Sequence, residues 1–392
     1  MLNSIKSIRQ VKKLAGKRVL LRADFNVPMK EDGKVMDDYK IVAGLPTIRF
    51  LMRYKCKIII ITHLGRPKGE RVKKYSLLPV AKHLGRLLDK KVGFVDNCFG
   101  LEAGTAVGKM KPGEILMLEN LRFAEGEETN NKKFARQLAS LTDIYVNDAF
   151  ANSHRKHASM AAIKKYLPSY AGLLLAEEVE NLNKIICPRQ PLVAVIGGAK
   201  IGTKTSFLKK ISRKSFKVLI GGALANNFFA ARGMEVGKSL VDKKSIKLAE
   251  SLKAKNILLP IDVVVSDRKD GRGSAEVKNP FKVNKDEIIL DIGPKTIRLY
   301  SLFLKKAQTI IWNGPMGVFE QAHFKHGTLS IARAIASRSR GRAFGVVGGG
   351  ETIKALKMTR MDNYVDWIST GGGAMLAFLN GAKMPGLRGI VK

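Results

Sequence analysis

Two glycine clusters in the last fifty positions of the chain have the spacing to do chemistry, Gly348-Gly349-Gly350 and Gly371-Gly372-Gly373. Each follows a short apolar run, at 343–347 and 364–370, and each opens a helix-like stretch. Glycine permits positive φ and lets a ligand come close to the backbone. A helix start beyond such a turn presents unpaired N–H groups and the positive end of a dipole, which suits phosphate. One cluster alone is equally a tight turn. Two of them point to phosphate chemistry.

The elements that must position these turns follow an alternating pattern. Candidate strands fall at 18–22, 57–62, 92–95, 114–118 and 143–146, with helical patterns such as 77–88 and 132–141 between them. This alternation predicts a parallel sheet covered on both faces, with ligands beyond the carboxyl ends of the strands. Those ends carry Asp24-Phe25-Asn26, then His63-Leu64-Gly65-Arg66, then Glu119-Asn120-Leu121-Arg122, then Asn147-Asp148 followed by His154-Arg155. Guanidinium forks match phosphate and carboxylate, so this edge reads as a pocket for a small polyanion. After a helical segment at 171–186, bounded by Pro188 and Pro191, the alternation resumes with different strand ends. Strand 192–196 leads into Gly197-Gly198-Ala199-Lys200, 217–220 into Gly221-Gly222, and 309–312 into Asn313-Gly314-Pro315-Met316-Gly317. Backbone amides and two lysines would hold phosphates there. The first half is built for a small acid and the second for a nucleotide.

Bulk properties bound the answer. A chain of 392 residues exceeds one ordinary core, so two domains are expected. No apolar run approaches the roughly 18 residues of a membrane span, and no membrane association is expected. Three widely spaced cysteines, Cys56, Cys98 and Cys187, make no metal pattern and point to a reducing compartment. The basic stretch 1–15 has the composition of a transit peptide but reads as the start of the domain. The charge is extreme, with 70 Lys and Arg against 33 Asp and Glu giving +37. Such a surface attracts polyanions. The lysines run along the whole chain without an RNA-binding aromatic motif or zinc finger, so no specific nucleic-acid partner is expected. There is no P-loop: GMEVGKS at 233–239 is one residue short of it. His63, His154 and His157 lie near arginines without a paired nucleophile, and ligand positioning suits them better than acid–base work.

Together the motifs resemble phosphoglycerate kinase over nearly the whole chain. They are RADFNVP (22–28), THLGRP (62–67), ENLRF (119–123), VNDAF with HRKHAS (146–159), GGAK (197–200), DIGPKT (291–296), WNGPMGVFE (312–320), GGGET (348–352) and STGGGA (369–374). The resemblance implies an α/β fold of two Rossmann-like domains with parallel sheets covered by helices, joined by a hinge helix. It implies boundaries at 1–170 for the acid-binding domain, 171–187 for the interdomain helix, 188–368 for the nucleotide domain and 369–392 for a segment returning to the first. The implied reaction is reversible, Mg²⁺-dependent phosphoryl transfer between 1,3-bisphosphoglycerate and ADP, giving 3-phosphoglycerate and ATP, with a hinge closing to join the ligands. By motif, Asp24, Asn26, Lys40, His63, Arg66, Arg122 and Arg155 would hold the phosphoglycerate. Lys40, Lys200, Gly349 and Gly372 would act on the migrating phosphoryl group. Lys200, Lys204, Gly221, Gly222, Asn313, Pro315, Gly317, Val318, Glu320, Gly348, Gly349, Gly350, Glu351 and Thr352 would bind nucleotide, with Glu351 on the metal. A cytoplasmic monomer is expected from the resemblance. Phosphoryl transfer needs in-line positioning and cover for charge, which such residues supply.

Three positions depart from the usual pattern. Lys40 stands where the family usually has arginine, keeping the charge and losing the planar fork. Glu351 replaces the usual aspartate, and Thr203 stands where many members have aspartate. Lys40 and Glu351 motivate one rival reading, a catalytically impaired relative. The +37 surface motivates another, a polyanion-binding protein on the same fold.

Overall fold

The structure is a computed structural model, and it describes residues 5–199, 204–252, 254–268, 270 and 273–391. The chain forms two compact units, Met1–Glu180 with Ala382–Lys392, and Asn181–Gly381. In the first, the order is β1 (Arg18–Arg22), α1 (Tyr39–Arg53), β2 (Lys57–Ile61), α2 (Leu78–Leu88), β3 (Val92–Val95), α3 (Gly100–Lys109), β4 (Ile115–Leu118), α4 (Glu125–Glu128), α5 (Lys132–Ala139), β5 (Ile144–Asn147) and β6 (Ser169–Ala171). Helix α6 (Leu173–Ile186) follows, and the division at 180/181 falls inside it. The sequence expectation put divisions at 170/171 and 368/369. The second chain division lies instead at 381/382, because the segments Trp367–Ser369 and Gly372–Leu379 pack with the second unit.

Six parallel strands form the first unit's sheet in the order β3-β4-β2-β1-β5-β6. Strand β2 is a run of isoleucines buried along its length, as expected of a parallel strand covered on both faces. Ile41, Ile48 and Leu51 of α1 join Val19, Leu21, Ile58 and Ile60 in one core cluster. Each fully buried aliphatic side chain contributes about 1.5–3 kcal/mol. Helix α1 contains Pro46, which cannot donate to the preceding turn. Asn131 caps α5, its Oδ1 accepting from the amides of Lys133 and Phe134 at 2.8 and 3.1 Å.

The second unit comprises β7 (Leu192–Ile196), α7 (Thr205–Ser212), β8 (Lys217–Ile220), α8 (Gly222–Ala231), α9 (Lys243–Ser251), β9 (Ile257–Leu258), β10 (Val263–Ser266), β11 (Glu276–Lys278), β12 (Ile288–Ile292), α10 (Pro294–Lys306), β13 (Thr309–Asn313), α11 (His326–Ser339), β14 (Phe344–Gly348), α12 (Gly350–Met358), β15 (Trp367–Ser369) and α13 (Gly372–Leu379). Its main sheet is parallel in the order β15-β14-β13-β7-β8-β9, and β11-β10-β12 form a small antiparallel sheet. Val193, Val195, Ile310 and Trp312 pack with Tyr300, Leu304, Ile331 and Ile335.

Both parallel sheets reverse their strand order beside their first strand, between β1 and β5 in one and between β7 and β13 in the other. Loops leaving the carboxyl ends of such neighbours diverge and open a crevice.

Candidate active site

In the first unit, seven sequence-predicted residues come together at the carboxyl edge. Asp24 leaves β1 and meets Lys40, in the first turn of α1, with Nζ 2.6 Å from Oδ2. Burial pushes the Asp24 carboxyl up, but the Lys40 ammonium, helped by Arg22, holds it below its ordinary value. Asn26 Oδ1 accepts from the Gly65 amide at 2.9 Å, bracing the loop that carries His63 and Arg66. Arg122 donates from Nη1 to the Gly65 carbonyl at 2.6 Å and pairs through Nε with Glu128 at 3.0 Å. Arg155 feels Arg66, Glu128, Asp24 and Arg22. Burial, reinforced by Arg22, Arg122, Lys40 and Arg155, holds the His63 imidazole far below its usual value, so it is neutral. Cations outnumber carboxylates here, an arrangement chemically suited to a small polyanion.

Sequence reasoning missed the scaffold behind these groups. Arg22 is 1% exposed, donating to the Ala23 carbonyl and, from Nε, to Ser159 Oγ at 3.0 Å. Glu119 accepts from the Leu77 and Asn120 amides, both at 2.8 Å, and from Ser76 Oγ at 2.7 Å. The Asn120 side chain donates from Nδ2 to the Leu64 and Tyr75 carbonyls. The ENLRF motif thus ties the His63 loop to the α2 entry, a role visible only once the loops are placed. His157 Nδ1 lies 3.7 Å from Glu127 Oε1, and burial with nearby arginines lowers its pKa to about 4. Burial and Arg155 likewise lower the His154 pKa.

In the second unit a cavity of 410 Å³ opens at the β7/β13 reversal. Of the predicted nucleotide residues, Gly222, Pro315, Gly317, Val318, Glu320 and Glu351 line it. Leu240, Val263, Ile289, Leu290 and Phe319 add apolar walls fit for a flat base. These came from β10, β12 and neighbouring segments, whose side chains look like ordinary core in the sequence. Gly198 N–H donates to the Pro315 carbonyl and Gly222 N–H to that of Met316, both at 2.8 Å, locking the turns together. Gly222 has φ +59, and a Cβ there would lie 2.6 Å from the Gly198 nitrogen.

Other predicted residues brace this site without lining the cavity. The Asn313 side chain donates from Nδ2 to the Gly348 carbonyl at 2.7 Å, and Thr352 Oγ1 accepts from the Gly314 backbone amide at 2.8 Å. Gly221 packs on Met316. Lys204 is buried, and its ammonium donates to the Gly197 carbonyl. Lys200 and Thr203 lie outside the described residues. The two glycine clusters meet: a Cβ on Gly372 would lie 3.0 Å from Gly349 Cα, and one on Gly348 would lie 2.5 Å from the Met375 side chain. Gly349 has φ +100 and caps α12, while Gly371 caps α13. Gly350, the first residue of α12, is exposed.

Known proteins resemble this chain over nearly its whole length. The family model for phosphoglycerate kinase matches residues 8–382. The phosphoglycerate kinase of Pelotomaculum thermopropionicum is 44% identical over 398 residues, covering 98% of this chain and 99% of that protein. That of Moorella thermoacetica is 45% identical over 381 residues, covering 95% and 96%. The solved phosphoglycerate kinase of Coxiella burnetii superposes with a TM-score of 0.86 at 39% identity, covering 98% of each chain.

Proposed function

The chain belongs to the phosphoglycerate kinase family, and from that premise we propose how its own residues carry the reaction. The protein is an enzyme of glycolysis that transfers a phosphoryl group reversibly between 1,3-bisphosphoglycerate and ADP, yielding 3-phosphoglycerate and ATP. The observation that carries the residue assignment is the clustering of Asp24, Lys40, His63, Arg122 and Arg155 within one another's fields at a sheet edge.

In this reading Asn26, His63, Arg66, Arg122 and Arg155 bind the phosphate and carboxylate of the acid, and Asp24 orients Lys40. The apolar cavity of the second unit takes the base, and Glu320, exposed at its rim, accepts from the ribose. Lys204 and the turn amides at Gly221 and Gly222 hold phosphates, and Asn313 and Thr352 keep the Gly348–Gly350 turn in shape. Lys40, Lys200 and the amides at Gly349 and Gly372 stabilise charge on the migrating group. Hinge closure, which the sequence resemblance implies, is the step by which ligands bound to different units would meet and exclude water.

The described residues contain no group of three or more His, Cys, Asp or Glu able to cage a metal. Glu351, in the first turn of α12, lines the nucleotide cavity. A single carboxylate beside nucleotide phosphates suits Mg²⁺, which keeps several waters. Glu351 would hold the ion, which when bound neutralises charge on the nucleotide phosphates. No helix among the described residues is long and apolar enough to cross a membrane, and a cytoplasmic monomer is part of the proposal.

The test is a coupled assay for ATP formation from 1,3-bisphosphoglycerate and ADP, with and without Mg²⁺. Metal-dependent turnover is expected. Ligand binding without turnover would instead make this chain an impaired member of its family.

A further inference from the structure

Behind the acid pocket, four side chains form a hydrogen-bonded row: Glu127, Ser159, Arg22 and His63, each 3% exposed or less. The directions of its bonds follow from chemistry. Ser159 Oγ donates to Glu127 Oε1 at 2.6 Å, while the Ser159 amide donates to Oε2 at 2.9 Å. A hydroxyl has one proton, so with that proton on Glu127 its oxygen accepts from Arg22 Nε at 3.0 Å. Guanidinium has donors only, so Arg22 Nη2, 3.2 Å from His63 Nδ1, is the donor in that contact. Nδ1 is therefore the acceptor. His63 is neutral, held so by burial and the surrounding cations, and a neutral imidazole carries its single proton on one nitrogen. That nitrogen is Nε2, which has no hydrogen-bond partner among the described residues. The opposite tautomer would set two N–H groups against each other in a buried site, at the cost of an unmade hydrogen bond.

We propose that the Glu127–Ser159–Arg22 row is a tautomer lock that fixes His63 as an Nε2–H donor to the acidic substrate, with Ser159 as a positioning residue and Glu127 as its anchor. The proposal rests on the assignment of this pocket to phosphoglycerate. Lys40, Arg122 and Arg155 surround the same imidazole, so the anion they attract finds a neutral donor among cations. The row uses no ligand atom, so the donor is set before substrate arrives.

Two-bond ¹H–¹⁵N correlation spectra of the full chain with labelled histidine test this without any ligand. His63 is identified by the signals lost in His63→Gln. Wild type should give the Nε2–H pattern at neutral pH. Ser159→Ala should give mixed tautomers and raise KM for 3-phosphoglycerate about tenfold with KM for ATP unchanged, and Ser159→Thr, which keeps the hydroxyl, should restore both. An Nδ1–H or doubly protonated His63 in wild type overturns the proposal whatever the variants do, as does a His63 tautomer that Ser159→Ala leaves unmoved. A tautomer change with KM for 3-phosphoglycerate unaltered would uphold the lock and remove the acid from this pocket, so the two failures are told apart.

Discussion

Lys40 is the residue at which the sequence resemblance implies the most consequential departure, a lysine where an arginine is expected. Its ammonium is spent partly on Asp24, 2.6 Å away, and a point charge cannot also grip a phosphoryl group bidentately. Lys40→Arg is expected to raise kcat by several-fold, since a planar fork serves both partners. Steady-state rates decide it, and an unchanged or lower kcat would take Lys40 out of the transfer step. The pair also has a pH signature. The Asp24 carboxyl lies below its ordinary value, so its stabilisation is present above the unfolded carboxylate range and fades as pH falls through the lower folded value. Asp24→Asn should remove that part of the acid-side loss, read from urea melts between about pH 2 and 5. The clustering of Asp24, Asn26, His63, Arg66 and Arg122 is legible in the sequence because each closely follows an apolar run, whereas Lys40 and Arg155 lie farther along and are reached through the family resemblance. Arg22 is not legible, although it ends β1. Its burial depends on Ser159, 137 positions away, and nothing in a local window reports that distance.

Among the elements, legibility followed apolar continuity. Strands β1, β3, β7 and β8 keep the limits that their unbroken runs predict. Helix α1 is obscured by Gly44 and Pro46 within it, and β11 by its mostly exposed Glu276-Val277-Lys278, which carries no buried period. The meeting of the two glycine turns belongs to this scale. Gly372→Ala places a methyl 3.0 Å from Gly349 Cα, tighter than side chains ordinarily pack. We expect kcat to fall tenfold or more with a small change in Tm, because the strain falls on the turn and leaves the core intact. A retained kcat would show that the turn does not touch the transferring group. A second prediction concerns the entry to α6. Asp148 is buried and accepts from the Leu175 amide at 3.1 Å, and burial raises its carboxyl to about 6, against the Thr47 hydroxyl and Leu175 amide. The native state thus favours the protonated form. Its contribution is complete below the unfolded value near 4 and is lost as pH rises to about 6, on the order of 3 kcal/mol. Asp148→Asn keeps an acceptor for Leu175 and should flatten that decline. Parallel losses in variant and wild type between pH 4 and 6 would refute it.

For the molecule as a whole, the formal charge of +37 sets the response to salt. Self-repulsion opposes the compact state, and the Debye length falls from about 30 Å at 0.01 M to about 8 Å at 0.15 M. Tm should climb by several degrees over that range, while KM for 3-phosphoglycerate rises as long-range attraction is screened. A Tm that falls with salt would mean that attractive pairs such as Arg18–Asp143 dominate instead. Segment 382–391 adds a constraint of another kind. It belongs to the first unit, where the Gly386 amide donates to the Ser153 carbonyl and the Asn147 side chain donates to the Gly386 carbonyl across 239 positions. Lys164 reaches the Pro385 and Arg388 carbonyls. On a ribosome, then, the half of the protein translated first is the half finished last. Its loop beside Arg155 waits for residues made only after the whole of the intervening unit, and a chain cut after position 381 would hold every residue of the second unit while the first lacked its seam.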